Sequence, residues 1–496
     1  MQRRKVKNIW EYGDFQTPQS LAEKAVSVLC NTSNKPISVL EPTCGKGSFI
    51  LAAANQIKSA KRIIGLDINK SYLEHLRALS TNKKVEVIHS DFFCYDWEAL
   101  LKTLPEPILI VGNPPWVTSS ELGLLGSTNL PKKSNFQGRK GFEAITGKSN
   151  FDISEWMLLK YLEWLQNKKG MIAVLCKTAI ARKILAQSWK NNLRIGDAKI
   201  YKINALRHFG ASVDACFLII DCSVNRTSSD CSIYDSLDNK SPSCTLGYHD
   251  GFLISDVGLY ESHKFLLGTD PHYQWRSGVK HDCSKVMELE KNSELFANGF
   301  GDLVSLEDEY VYPLYKSSDL NKDKLKYRKH VVITQKKVGE STSSIANIAP
   351  KTWEYLLRYS ERLDKRGSSI YKNKPRFSIF GIGDYSFSPW KVAISGFYKS
   401  LDFKILNPIN GQAVMVDDTV NFLPCWTKDE AIFLSEVLNS TIAKDTLRSM
   451  IFWDEKRPIT IDILKRLNIQ SIAKHLGRES EYNSFKAISD SRYADV

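Results

Sequence analysis

Ile37-Ser-Val-Leu-Glu-Pro-Thr-Cys-Gly-Lys-Gly47 decides how the first half of the chain is read. Ile37 to Leu40 is a short apolar run of strand type, ending in Glu41 and a turn with two glycines. Ser48 to Ile57 then puts Phe49, Ile50 and Ala53 on one side of a helix. The alternation repeats outward. Ile63 to Leu66 is a second strand, ending at Asp67, and Ser71 to Leu79 a helix with Leu73, Leu76 and Leu79 as its apolar stripe. Val85 to Ile88 precedes Asp91-Phe92, and Ile108 to Val111 precedes Asn113. An amphipathic helix over 153–165 and strands over 171–175 and 215–220 complete the pattern. Strands alternating with helices predict an α/β fold, a mostly parallel sheet covered on both faces.

Ligands of such sheets bind beyond the carboxyl ends of the strands. Glu41, Asp67, Asp91 and Asn113 each follow one of four successive strands. Helix caps or turns explain one or two of these, but four in register predict a site.

The chemistry of that site follows from its parts. The glycine turn permits close backbone approach to a ligand, but it is neither a Walker loop nor a full GxGxxG and does not predict a phosphate cradle. Asp67 stands where a carboxylate accepts from ribose hydroxyls. Asp91 and Phe92 can bond and pack an adenine ring. An adenosine without pyrophosphate suits S-adenosylmethionine better than a dinucleotide. Asn113-Pro-Pro-Trp116 is the most specific feature. Its prolines lack N–H groups, so acceptors dominate the loop, an edge suited to grip both hydrogens of an amino group, while Trp116 offers a stacking face.

In that order, these motifs resemble the amino-methylating DNA methyltransferases of restriction-modification systems, specifically the N6-adenine group of gamma order. The resemblance is strong from about residue 11 to 222 and includes Phe15-Gln-Thr-Pro18, in which Thr17 is expected to cap a helix beginning at Pro18, and His208-Phe-Gly-Ala-Ser-Val-Asp-Ala215. It implies a Rossmann-like class I fold with a seven-stranded sheet, and base flipping as the route to the target. It implies an S-adenosylmethionine site at Thr17, Glu41, Pro42, Thr43, Cys44, Gly45, Gly47, Asp67, Ile68, Asp91, Phe92 and Asn113. It implies a catalytic set of Asn113, Pro114, Pro115 and Trp116, with Phe209 on the second face of a flipped adenine. Cytosine N4, ribosomal RNA adenine and a catalytically inactive DNA-recognition subunit are the competing readings. Pro424-Cys425 is followed by Trp426, not the glutamine of cytosine-C5 enzymes, and Cys425 is read as core.

The organisation expected is a methyltransferase domain over 1–222, a Ser/Asp/Asn-rich connector over 223–275 and a mixed α+β target-recognition domain over 276–496. Helices are expected over 430–447 and 461–467. The net charge of +13 is uneven: +13 over residues 1–220, −9 over 221–320, +11 over 321–400 and −2 over 401–496. Two basic blocks point to a polyanion such as double-stranded DNA. Lys132, Lys133, Arg139 and Lys140 in one, and Lys336, Lys337, Arg376 and Lys391 in the other, are the candidate DNA contacts. No apolar run long enough for a membrane span and no secretory signal is evident. Ten cysteines without CxxC pairs read as reduced thiols of a cytoplasmic protein, with no metal site. No nuclease is placed within the chain, so a restriction endonuclease encoded separately is the partner considered.

Overall fold

Apolar β-branched runs bounded by glycine and polar turns build the central layer of the N-terminal unit. The computed structural model describes residues 15–30, 35–117, 152–222, 227–322 and 325–494. Contacts divide it into two units, 1–258 and 259–496.

In the first unit, helix α1 (Gln19–Cys30) precedes β1 (Ser38–Glu41), α2 (Ser48–Gln56), β2 (Arg62–Asp67), α3 (Lys70–Leu79), β3 (Val85–His89), α4 (Trp97–Thr103) and β4 (Ile108–Gly112). Then come α5 (Ile153–Leu165), β5 (Gly170–Lys177), α6 (Thr178–Lys190), β6 (Ala198–Asn204), α7 (Ala205–Phe209) and β7 (Asp214–Asp221). Three further strands follow, β8 (Asp230–Tyr234), β9 (Cys244–His249) and β10 (Phe252–Ile254). The sheet order is β10-β9-β8-β6-β7-β5-β4-β1-β2-β3. β3, β2, β1, β4 and β5 run parallel, and β7 is antiparallel to β5 and β6. The α/β class is as expected. Among the described residues, however, the sheet has ten strands rather than seven. The added three lie inside the expected connector, with β8 parallel to β6, and the contact boundary falls after Gly258 rather than 222. Helix α1 begins at Gln19, one residue after Pro18, whose carbonyl accepts from Leu21 N and Ala22 N.

β1, β4 and the middle of β5 are buried throughout, as expected of strands covered on both faces. β3 lies at the sheet edge and its burial is only partial. Val39, Phe49, Ile50, Ile63, Leu109 and Phe217 lie in one apolar cluster. Burying such side chains contributes about 1.5–3 kcal/mol each.

The second unit is mixed α+β. Its strands are β11 (Arg276–Ser277), β12 (Glu288–Asn292), β13 (Leu295–Ala297), β14 (Leu303–Val304), β15 (Val311–Tyr315), β16 (Lys329–Val332), β17 (Trp390–Ser395), β18 (Lys404–Leu406), β19 (Met415–Val416) and β20 (Val420–Cys425). Among the described residues they form a six-stranded sheet, β14-β13-β12-β16-β15-β19, and a four-stranded one, β11-β20-β17-β18. The helix expected over 430–447 is two, α8 (Lys428–Asn439) and α9 (Thr441–Arg448), because Ser440 adopts a non-helical conformation and caps the second. The helix expected over 461–467 ends at Leu464. Lys329 of the basic block and Lys316 just before it are paired inside the unit. Glu288, 3% exposed, pairs with Lys316 at 2.7 Å and Lys329 at 3.1 Å. Burial alone would raise that carboxyl, but hydrogen bonds from His281 and Lys316 hold it at about 2.

Candidate active site

A cavity of about 470 Å³ opens at the carboxyl ends of β1, β2, β3 and β4. β1 delivers Glu41, only 3% exposed, with Oε2 lacking a hydrogen-bond partner among the described residues. Burial, reinforced by the neighbouring Asp67 carboxylate, pushes its carboxyl well above the usual range. β2 delivers Asp67, whose Oδ2 accepts from Gly45 N at 2.8 Å and whose Oδ1 accepts from Asn69 N at 2.8 Å. The glycine turn wraps this carboxylate. Gly45 sits at φ +52° and Gly47 at φ +85°, conformations that favour glycine.

At the end of β3, Asp91 Oδ1 accepts from Phe93 N at 2.8 Å. Phe92 packs at 5.1 Å from Trp97, whose indole N–H donates to the Phe92 carbonyl at 2.8 Å. β4 leads into Asn113. Its Nδ2 donates to the Phe15 carbonyl at 2.8 Å, while Oδ1 is buried with no partner among the described residues. Buried polar atoms are rarely left unbonded. Two oxygens without a partner among the described residues, Glu41 Oε2 and Asn113 Oδ1, on residues lining one cavity, therefore mark polar points at which a ligand can bond.

Of the residues expected at the cofactor site, Thr17, Glu41, Pro42, Thr43, Cys44, Gly45, Asp67, Ile68, Asp91, Phe92 and Asn113 all line this cavity. Gly47 does not: it starts α2 and faces Leu76. Of the loop, Asn113 and Pro115 line the cavity, while Pro114 is buried and is not part of its lining. The sequence reading missed Asn69, Lys70 and Tyr72 at the start of α3, and Ile153 and Met157 on α5. Asn69 carried a signal, as the residue whose side chain caps α3. The apolar pair on α5 is indistinguishable by pattern from core.

The aromatic platform differs from expectation. Trp116 is 5% exposed, and its ring meets Phe209 edge-to-face at 5.1 Å and 70°. Phe15 completes the group, 5.6 Å from Trp116 and 6.2 Å from Phe209. The rings thus bury one another's apolar surface instead of flanking a slot one base thick.

Among the candidate DNA contacts, Lys132, Lys133, Arg139 and Lys140 lie outside the described residues. Lys336 and Lys337 are exposed, the latter 3.4 Å from Asp384. Arg376 is half-exposed and pairs with Asp364 at 2.7 Å. Lys391 is corrected: it is wholly buried in β17, its Nζ donating to the Ser388 carbonyl at 2.8 Å. Burial lowers its pKa to about 7, and its ammonium, enclosed in the sheet, is out of reach of a phosphate in this fold.

The family model described as N-6 DNA methylase matches residues 5–192. The Type II methyltransferase M.NspV of Nostoc sp. is 43% identical over 468 residues, 94% of this chain and 97% of its own. The Type II methyltransferase M.CvrRI of Paramecium bursaria Chlorella virus XZ-6E is 35% identical over 106 residues, 21% of this chain and 25% of its own. Among solved structures, the Type IIL restriction-modification enzyme MmeI in complex with DNA aligns with a TM-score of 0.53 at 11% identity. That alignment covers 90% of this chain and 64% of MmeI, so this chain spans less than two thirds of that enzyme, and the likeness is one of fold.

Proposed function

The chain belongs to the N-6 DNA methylase family and is a relative of type II methyltransferases, and from that premise we propose that it transfers a methyl group from S-adenosylmethionine to N6 of an adenine flipped out of double-stranded DNA at a specific sequence. The observation that carries this reading is the unsatisfied Asn113 Oδ1, at the end of the strand beside the adenosine-type pocket.

The residues present fit the cofactor. The Asp67 carboxylate suits ribose hydroxyls, Asp91 and Phe92 suit an adenine, and the buried Glu41 carboxyl suits the positive end of the molecule. When bound, S-adenosylmethionine supplies a methyl group made electrophilic by its sulfonium. Asn113 Oδ1 accepts one amino hydrogen of the target base and the Pro114 carbonyl the other. These bonds draw the nitrogen lone pair out of conjugation with the ring. Trp116 takes the base on its face once the contact with Phe209 opens. The proton lost from nitrogen passes to water, because positioning and fixed dipoles rather than a strong base drive the step.

The second unit serves as the target-recognition domain, with Lys336, Lys337 and Arg376 as candidates to position the DNA backbone. No helix among the described residues is long and apolar enough to cross a membrane. The reading extends to a cytoplasmic protein of a restriction-modification system, whose endonuclease is encoded separately.

The test is transfer of tritium from labelled cofactor to plasmid DNA, followed by digestion to nucleosides. Label is expected in N6-methyladenine and absent with Asn113→Ala. Label in N4-methylcytosine moves the acceptor to cytosine, and equal labelling by both proteins removes Asn113 from the mechanism.

A further inference from the structure

Asn113 to Trp116 is a loop whose two prolines have no N–H with which to tie it down. Its entry is fixed by the pairing of Gly112 with Val174 and by the Asn113–Phe15 bond. Its exit is fixed differently. Lys177, the last residue of β5, points its ammonium between two anchors. Nζ lies 2.6 Å from Asp152 Oδ2 and 3.5 Å from the Trp116 carbonyl oxygen. Asp152 is 6% exposed, and its other oxygen caps α5 through Ser154 N at 3.0 Å and Ser154 Oγ at 2.6 Å. Next to this cluster, Ile153 N donates to the Val117 carbonyl at 2.9 Å.

The ion pair is strong for its place. Asp152 is nearly dry and Lys177 only 26% exposed, so attraction between them is less screened than at a surface. It holds the ammonium against the Trp116 carbonyl, a contact at the outer limit of hydrogen bonding but favourable for a full charge against a carbonyl dipole. The indole of the same residue is held less firmly. Its Nε1 has no partner among the described residues, and the rings beside it, Phe15 tilted at 40° and Phe209 edge-to-face at 70°, offer packing rather than a directional bond. The main chain of Trp116 is therefore clamped while its ring is packed without a directional bond.

We propose that Lys177 is a positioning residue for methyl transfer: through Asp152 and the Trp116 carbonyl it fixes the main chain of the Asn113–Trp116 loop while the Trp116 ring turns to take the base. This rests on the DNA-adenine reading above. A second ion pair supplies the control. Lys183 bonds Glu155 at 2.7 Å, Glu155 being 1% exposed, and so joins α6 to α5.

The experiment compares Lys177→Met, Lys177→Arg, Asp152→Asn and Lys183→Met in the full chain. Single-turnover methylation, KM for DNA, cofactor affinity and Tm are measured well below each variant's Tm. Lys177→Met is expected to lower the methyl-transfer rate at saturating DNA and cofactor by about tenfold or more, since small misplacements are costly to reacting geometry. KM and cofactor affinity are expected within threefold of wild type. Lys177→Arg, which keeps the charge, is expected to recover most of the rate. Lys183→Met is expected to lose Tm while keeping the rate. If Lys177→Met does not fold, Asp152→Asn is expected to show the same rate loss at unchanged KM. The proposal is overturned if the rate is retained in both, if the loss lies wholly in KM for DNA, if arginine restores nothing, or if Lys183→Met loses as much rate as Lys177→Met. A wild-type protein that labels no adenine fails the underlying reading instead, independently of any variant.

Discussion

Asn113 and Phe15 are joined by an amide-to-carbonyl bond of 2.8 Å across 98 residues of sequence, and this bond sets which end of the Asn113 side chain is left over. With Nδ2 committed, Oδ1 is the atom available to a substrate amino group. Asn113→Asp puts a second acceptor against the Phe15 carbonyl and turns attraction into repulsion. Asn113→Ala and Asn113→Asp are both expected to lose about 10²–10³-fold or more in the methyl-transfer rate, the scale for removing one preorganised transition-state dipole. Rapid-quench assays with tritiated cofactor check this. An aspartate variant with near-normal rate would mean that amide orientation is irrelevant.

Glu41 gives the cofactor site a pH dependence. Burial and the nearby Asp67 raise its carboxyl pKa, so the folded protein holds this proton to higher pH than the unfolded chain. Glu41 therefore opposes folding increasingly as pH rises from about 4.3, the ordinary glutamate value, through its raised value. A positively charged cofactor end favours the ionised form, so binding below that raised value releases a proton. Cofactor affinity is expected to fall by up to about tenfold per pH unit below it and to level off above. Glu41→Gln is expected to flatten the profile. Titration calorimetry in buffers of different ionisation enthalpy reads the proton directly.

The two turn glycines are expected to separate stability from binding. A Cβ at Gly47 would lie 2.4 Å from Leu76 Cδ1 at a φ of +85°. Gly47→Ala is expected to destabilise by about 1–3 kcal/mol through overpacking and strain, with Leu76→Ala relieving part of it. A Cβ at Gly45 meets Gln16 Oε1 at 2.7 Å, the atom that accepts from Lys46 N at 2.9 Å. Gly45→Ala is expected to weaken cofactor binding about tenfold or more, with the smaller change in Tm. Calorimetry on both variants, with and without cofactor, distinguishes them.

Lys391 is expected to behave as a buried liability rather than a DNA contact. With a folded pKa of about 7 against about 10.4 unfolded, the unfolded chain binds more protons between those limits. Stability of the second unit should rise with pH across that window. Lys391→Met is expected to remove the rise and to stabilise at pH 7 by an amount on the order of a few kcal/mol. DNA affinity and its salt dependence are expected to be unchanged. Lys336→Ala, by contrast, is expected to reduce the slope of log affinity against log salt by about one.

The strand-end residues were legible because a short apolar run followed at once by a polar residue carries its own position. Glu41, Asp67, Asp91 and Asn113 needed no long-range information. Tyr72 and Met157 line the same cavity but look like any aromatic or apolar helix residue, and only the packed fold says which face they show. The Phe15–Trp116–Phe209 group joins three distant segments, so its closure follows from tertiary packing and leaves no local mark. Lys391 failed for a related reason: charge counting assumes exposure, whereas its burial comes from the pairing of β17 with β18 and β20. β8 was hidden by the Ser-, Asp- and Asn-rich stretch around it, and β9 and β10 are short, at six and three residues.

Those three strands bear on any effort to borrow the catalytic half for targeted DNA modification. β8 pairs with β6 from Ala198↔Cys231 to Tyr201↔Tyr234, and the two tyrosine rings stack at 4.4 Å. A fragment cut at 222 would keep every motif of the cofactor pocket, yet leave one side of β6 as a row of unmet donors and acceptors beside newly wetted apolar side chains. Such an edge recruits strands from other copies. A fusion partner joined after Gly258 leaves the sheet finished, so the useful cut lies some three dozen residues beyond 222.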